Sequence, residues 1–97
     1  MSFHISKEAI QKYIDRRQKD LSVLKNALQS SDFEQIRFIA HQIKGNAETF
    51  GFSELGEHAK SLELLAESND ESGSLSEINW IEFWVNEQIA LKEKLPN

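Results

Sequence analysis

Four residues, His41, Lys44, Gly45 and Glu63, have the types and spacings in this chain that suit nucleophilic chemistry at an imidazole. His41 and Lys44 lie in the run Ala40-His41-Gln42-Ile43-Lys44-Gly45, around which Phe33, Ile36, Ile39, Ala40, Ile43, Ala47 and Phe50 recur at helical spacing. At about 100° of rotation per residue, Arg37, Lys44, Gly45 and Glu48 fall within roughly 60° of His41, and the apolar positions gather on the opposite side. The imidazole is therefore predicted to face solvent. Lys44, one turn on, brings a mobile positive charge to whatever binds there.

Gly45 needs a reason, because a glycine inside a helix costs about 1 kcal/mol relative to alanine. Helical side chains lean toward the N-terminus, so a larger residue at position 45 would lean over the imidazole. Its absence clears an approach path to the ring. A packing glycine between two close helices is the other reading, and composition does not separate them.

Glu63 sits at the edge of the apolar stripe of a later helix, with Gly56, Lys60 and Glu67 along the outward strip. In an antiparallel hairpin it can reach His41. A carboxylate that accepts a hydrogen bond from one imidazole nitrogen fixes the tautomer and leaves the other nitrogen's lone pair outward as a nucleophile. A solvated carboxylate is the alternative on spacing alone. Arg37 and Glu48 pair with solvent, with each other, or with a docked partner; Gln42 shares that face. Phe38 lies off the main apolar stripe, so it either packs under the first helix or is an exposed docking contact. His4 and His58 carry no signal beyond that of ordinary surface histidines.

The elements that must position these residues are all helical. The first helix is expected to begin after an N-cap at Ser6 and run to about Gln29, on Ile10, Ile14, Leu21, Leu24 and Leu28, with Arg17 at the position an apolar residue would complete. Ser31-Asp32-Phe33-Glu34 reads as a capping box that opens the histidine helix. That helix is expected to end near Phe50-Gly51, Gly51 taking a left-handed conformation and Ser53 capping the next helix. The third helix carries Leu55, Ala59, Leu62, Leu65 and Ala66. The apolar-free stretch 67–74 reads as a flexible loop, followed by a second capping box, Ser74-Leu75-Ser76-Glu77, and a last helix on Ile78, Ile81, Trp84, Val85 and Leu91 or Leu95. No strand pattern competes. An all-α, antiparallel up-down four-helix bundle over 1–97 is the simplest packing.

Composition narrows the function further. Ninety-seven residues, 39% of them hydrophobic, suit one domain with no room for a nucleotide-binding catalytic domain beside it. A net charge of −5 with scattered basic residues argues against a nucleic-acid partner. Without cysteine there is no disulfide framework or thiolate metal site, and a reducing, cytoplasmic location is expected. No apolar run spans a bilayer, and Met1-Ser2-Phe3-His4-Ile5 lacks the pattern of a secretory leader. No Glu-x-x-His occurs for a di-iron bundle, zinc would have only His41, Glu48 and Glu63 near one another, and no glycine loop cradles phosphate. No metal or cofactor is expected in the chain itself.

The residues from Ala40 to Gly45, continued through Gly51-Phe52, Leu55 and Leu62-Glu63, resemble the signature of histidine-containing phosphotransfer (HPt) domains. The likeness is close over residues 40–63; the other helices match in length and apolar pattern. It implies that His41 carries a phosphoryl group on its outer ring nitrogen. It further implies that Lys44 helps neutralise that group, that Gly45 leaves room for it and that Glu63 hydrogen-bonds the inner nitrogen. Asn46, Glu48 and Thr49 stand where many members carry small residues, a bulkier edge that narrows the choice of partner. The partners implied are receiver domains of a response regulator or hybrid histidine kinase, with Mg²⁺ held by the receiver. The chain would be a phosphohistidine carrier without kinase activity of its own, a monomer that is either free-standing or excised from a larger protein. Two rivals are a phosphorylation-independent receiver-binding module and a receiver-directed phosphatase using Gln42 or Asn46 to orient water.

Overall fold

The computed structural model describes residues 5–94, which form four α-helices: α1 (Lys7–Gln29), α2 (Phe33–Ala47), α3 (Ser53–Glu67) and α4 (Glu71–Lys94). Helix α2, which carries His41, packs between α1 and α3, and α4 packs against α1 and α3 on the far side. Short links make successive helices antiparallel. The all-α bundle expected from the periodicity is what the chain adopts.

The core follows the stripes predicted for each helix, with Ile10, Leu28, Phe33, Phe50 and Leu65 only partly buried. Leu24, Ile36, Ile43, Leu55, Leu62, Ile78, Ile81 and Val85 are fully buried, and Ile14, Leu21, Ile39 and Trp84 nearly so. Tyr13 and Ala27 join them. Arg17 takes the apolar-stripe position on α1 assigned to it and is buried, its guanidinium stacked over the Tyr13 ring at 4.5 Å. Leu91 departs from expectation by being exposed. His4 and Leu95 lie outside the described residues.

Helix α1 starts as predicted, with the Ser6 hydroxyl accepting from the Ala9 amide at 3.1 Å. The links between helices differ, and for one shared reason. Helices α1, α2 and α3 each close through a residue in the left-handed conformation, Ser31 (φ 55°), Gly51 (φ 84°) and Asn69 (φ 55°). The next amide in each case reaches back five residues: Asp32 N to Ala27 O at 2.8 Å, Phe52 N to Ala47 O and Asp70 N to Leu65 O at 2.9 Å. This double closure ties off the orphan carbonyls of the preceding helix.

Only Gly51 was expected in this role, and its helix stops at Ala47, one turn early. Because Ser31 is spent closing α1, it cannot cap α2. Asp32 does so instead, accepting from Gln35 N at 3.1 Å, and no Ser31/Glu34 capping box forms. Ser53 is the first residue of α3, not its cap, and Phe52 precedes it without a side-chain bond. The expected loop at 67–74 shrinks to residues 68–70: the Asp70 carboxylate accepts from Gly73 N at 2.8 Å, and α4 begins at Glu71. Ser74 is therefore inside α4 and fully buried instead of capping it.

Candidate functional site

His41 lies in the middle of α2, where Ile36, Ile39, Ala40, Ile43 and Ala47 anchor the helix to the core and turn the opposite side to solvent. Its side chain is 61% exposed. Glu63 comes from α3 and is buried, held at the seam between the two helices by its neighbour Leu62 and by Ala59 and Ala66, one turn to either side. Its Oε2 lies 2.7 Å from Nδ1 of His41. With the carboxylate ionised, Nδ1 donates that bond and the hydrogen sits on Nδ1, so Nε2 keeps its lone pair.

The second oxygen of the same carboxylate takes Lys44. Lys44 Nζ is 2.8 Å from Glu63 Oε1, so one buried carboxylate joins the imidazole and the ammonium on α2. The Lys44 ammonium holds the Glu63 carboxyl below the usual carboxylate range; burial opposes this and the bond to His41 adds to it. Lys44 is thus ion-paired and half-buried, not the freely mobile charge its spacing suggested. It also sits in the last turn of α2, where a cation suits the helix dipole.

At Gly45 an added Cβ would meet no atom within 4 Å. No neighbouring helix needs a glycine there, so the packing explanation falls and the open approach to the ring remains. On its α1 side Gly45 opens onto a groove of about 610 Å³ between α1 and α2, lined among others by Lys12, Tyr13, Arg16 and Asn46. Beneath it, Asn46 Oδ1 accepts from Tyr13 Oη at 2.6 Å and from Arg17 Nη1 at 3.3 Å, and Arg17 Nε donates to Asp20 at 2.8 Å. Burial pushes the Tyr13 hydroxyl's pKa up. Phe50 stacks on Tyr13 with ring centroids 4.4 Å apart.

Of the remaining residues singled out, Phe38 is exposed rather than packed under α1, and Gln42 and Glu48 are exposed beside His41. Arg37 pairs with Glu34 on its own helix at 2.6 Å and not with Glu48. Among the described residues no three His, Asp or Glu side chains gather closely enough to hold a metal ion, and no helix is long and apolar enough to cross a membrane.

One arrangement escaped the sequence. His58 Nδ1 lies 2.6 Å from Glu77 Oε1 across the α3–α4 interface, and its ring stacks flat on Trp80, centroids 3.7 Å apart and planes 10° apart. Nothing local signals it, because Glu77 and Trp80 reach His58 only once the register of α4 against α3 is set.

The arrangement on α2 and α3 offers a solvent-facing imidazole with one nitrogen occupied and the other available, and space beside it for an adduct. A model of the Hpt domain family matches residues 8–95. No curated protein and no solved structure matches the chain.

Proposed function

The chain belongs to the Hpt domain family, and on that premise we propose that it shuttles a phosphoryl group between Nε2 of His41 and aspartates of receiver domains in two-component signalling. The observation that supports this most directly is the bond between His41 Nδ1 and Glu63 on an otherwise exposed ring. It leaves a single nucleophilic nitrogen, on the edge of the ring away from Glu63.

In the forward step the Nε2 lone pair attacks the phosphorus of a receiver phosphoaspartate in line, forming the P–N bond as the acyl P–O bond breaks. The aspartate carboxylate leaves with that electron pair; a Mg²⁺ ion held by the receiver would supply charge neutralisation there. Positive charge develops on the imidazole as Nε2 is substituted, and the Glu63 carboxylate on Nδ1–H compensates it. The reverse step returns the group to another aspartate. Such transfer depends on placement and charge neutralisation more than on covalent chemistry from the protein, so a rigid bundle that presents one nucleophile suffices. Arg37, Phe38, Gln42 and Glu48 surround His41 and form the surface a receiver meets.

The direct test is incubation with a phosphorylated receiver, followed by mass analysis of the chain. An acid-labile phosphoryl group on His41, absent from His41→Gln of unchanged helicity, is the expected result. Binding without label, or release of inorganic phosphate from the receiver without label, would move the function to docking or to phosphatase action.

A further inference from the structure

If His41 carries the phosphoryl group, the structure bears on which cations hold it. The bond from Nδ1 to Glu63 turns that edge of the ring toward α3, which leaves Nε2 on the opposite edge, away from α3. On that side Gly45 leaves its space open onto the groove between α2 and α1. A group attached to Nε2 lies on the edge of the ring away from Glu63, and the groove that Gly45, Gln42 and Asn46 line on α2 is its nearest opening toward α1.

The charges are distributed to match. Lys44 is matched by the Glu63 carboxylate at 2.8 Å, Arg37 by Glu34 at 2.6 Å, and Arg17 by Asp20 at 2.8 Å. Lys12 and Arg16, one turn apart on α1, are exposed on the groove wall, and no carboxylate of the described residues pairs with either. Two uncompensated cations on one wall contrast with a chain whose net charge is −5. Tyr13 and Phe50, stacked with ring centroids 4.4 Å apart, line the groove beside Arg17 and Asn46.

We propose that Lys12 and Arg16 of α1 bind the phosphoryl group on His41 across the groove that Gly45 keeps open, and that Lys44 acts indirectly, through its grip on Glu63. A phosphoryl dianion is well served by this pair: the arginine fork bonds two oxygens at once and the lysine adds a compact charge. The proposal rests on the phosphocarrier reading of His41, and its test separates the two.

The full chain is labelled with phosphoramidate, a small donor that needs no docked protein, and the phosphohistidine is followed by ³¹P NMR through a pH titration. Wild type is compared with K12Q, R16Q, the double variant and K44Q. Both α1 positions are exposed, and circular dichroism confirms that each variant is folded. The expected result is that the double variant raises the midpoint of the phosphoryl group's second ionisation by about half a pH unit or more, as the loss of two surface cations would. K44Q moves it less, and K12R with R16K restores most of the wild-type value. A midpoint unchanged in the double variant, or moved further by K44Q, overturns the groove assignment while leaving His41 as the carrier. Wild-type protein that takes no label on His41 overturns the carrier reading itself, and the groove assignment with it.

Discussion

Glu63, buried on α3, holds Nδ1 of the exposed His41 on α2 at 2.7 Å. The reactive ring is thus oriented by a group that solvent scarcely reaches, and the orientation survives as long as the α2–α3 seam does. Removing the carboxylate frees the ring to rotate and to change tautomer. Partners of this kind are commonly worth about 10–100-fold in activity. Glu63→Ala is therefore expected to slow phosphotransfer to His41 by about that factor, measured as a single-turnover rate. Glu63→Gln, whose amide oxygen still accepts from Nδ1–H, should lose less. Equal losses in the two variants would assign the effect to charge instead of orientation.

The same carboxylate ties stability to pH, and the sign follows from its partners. Lys44 first, and then His41, favour the ionised form over the opposing cost of burial, so the folded-state pKa lies below the usual 4.5. A lowered carboxyl pKa gives stability that is present above the unfolded value and lost as pH falls through the folded one. The difference in urea midpoint between wild type and Glu63→Gln should hold from neutral pH down to about 5 and shrink below 4.5. A difference that widened on acidification would contradict the ion pair.

Gly45 separates stability from function. With no atom within 4 Å of an added Cβ, Gly45→Ala has nothing to collide with in the isolated bundle. It removes the helix cost of glycine, about 0.5–1 kcal/mol. The variant is expected to unfold at higher urea concentration yet exchange phosphoryl groups more slowly, because the methyl group intrudes on the space beside the ring. A gain in stability with an unchanged transfer rate would leave the glycine without a functional reason.

The helices and most of this site were legible because their signals are local. The 3.6-residue recurrence on α1 to α3, the Ser6 cap and the outward phase of His41 depend on neighbours within two turns. Glu63 was legible as a partner because a short link fixes the hairpin, but its second bond to Lys44 depends on where a long side chain settles. The links are not legible where left-handed closure falls on residues other than glycine. Ser31 and Asn69 take positive φ without being glycine, and their types suggest caps or loops instead. The polar run from Glu71 to Ser74 enters α4 because the Asp70 carboxylate caps the helix on the Gly73 amide, which outweighs the run's weak helix preference.

Ser74 shows what that burial costs. Its hydroxyl is fully enclosed and has no hydrogen-bond partner among the described residues. Removing an unsatisfied buried hydroxyl relieves a penalty of about 1–3 kcal/mol, set against a cavity the size of one oxygen. Ser74→Ala is expected to raise stability by about 1 kcal/mol, with alanine's better helix propensity adding to it. A lower urea midpoint would mean that the hydroxyl has a partner in solution.

His58 tests whether an imidazole–carboxylate bond is enough to make a phosphoryl acceptor. Its Nδ1 lies 2.6 Å from Glu77, much as that of His41 lies 2.7 Å from Glu63. The surroundings differ. Trp80 covers one face of the ring, the side chain is 31% exposed against 61% for His41, and the position one turn on is the buried Leu62 where His41 has Gly45. No open path leads past that position to the ring. In His41→Gln, exposure to a phosphorylated receiver should leave His58 without an acid-labile phosphoryl group, as read by site-resolved mass spectrometry. In His58→Leu, label on His41 should persist while Trp80 emission changes with loss of the stacked ring. Label on His58 would show that the carboxylate bond alone confers reactivity, and that the clearance beside His41 serves docking of the partner instead of the chemistry at the ring.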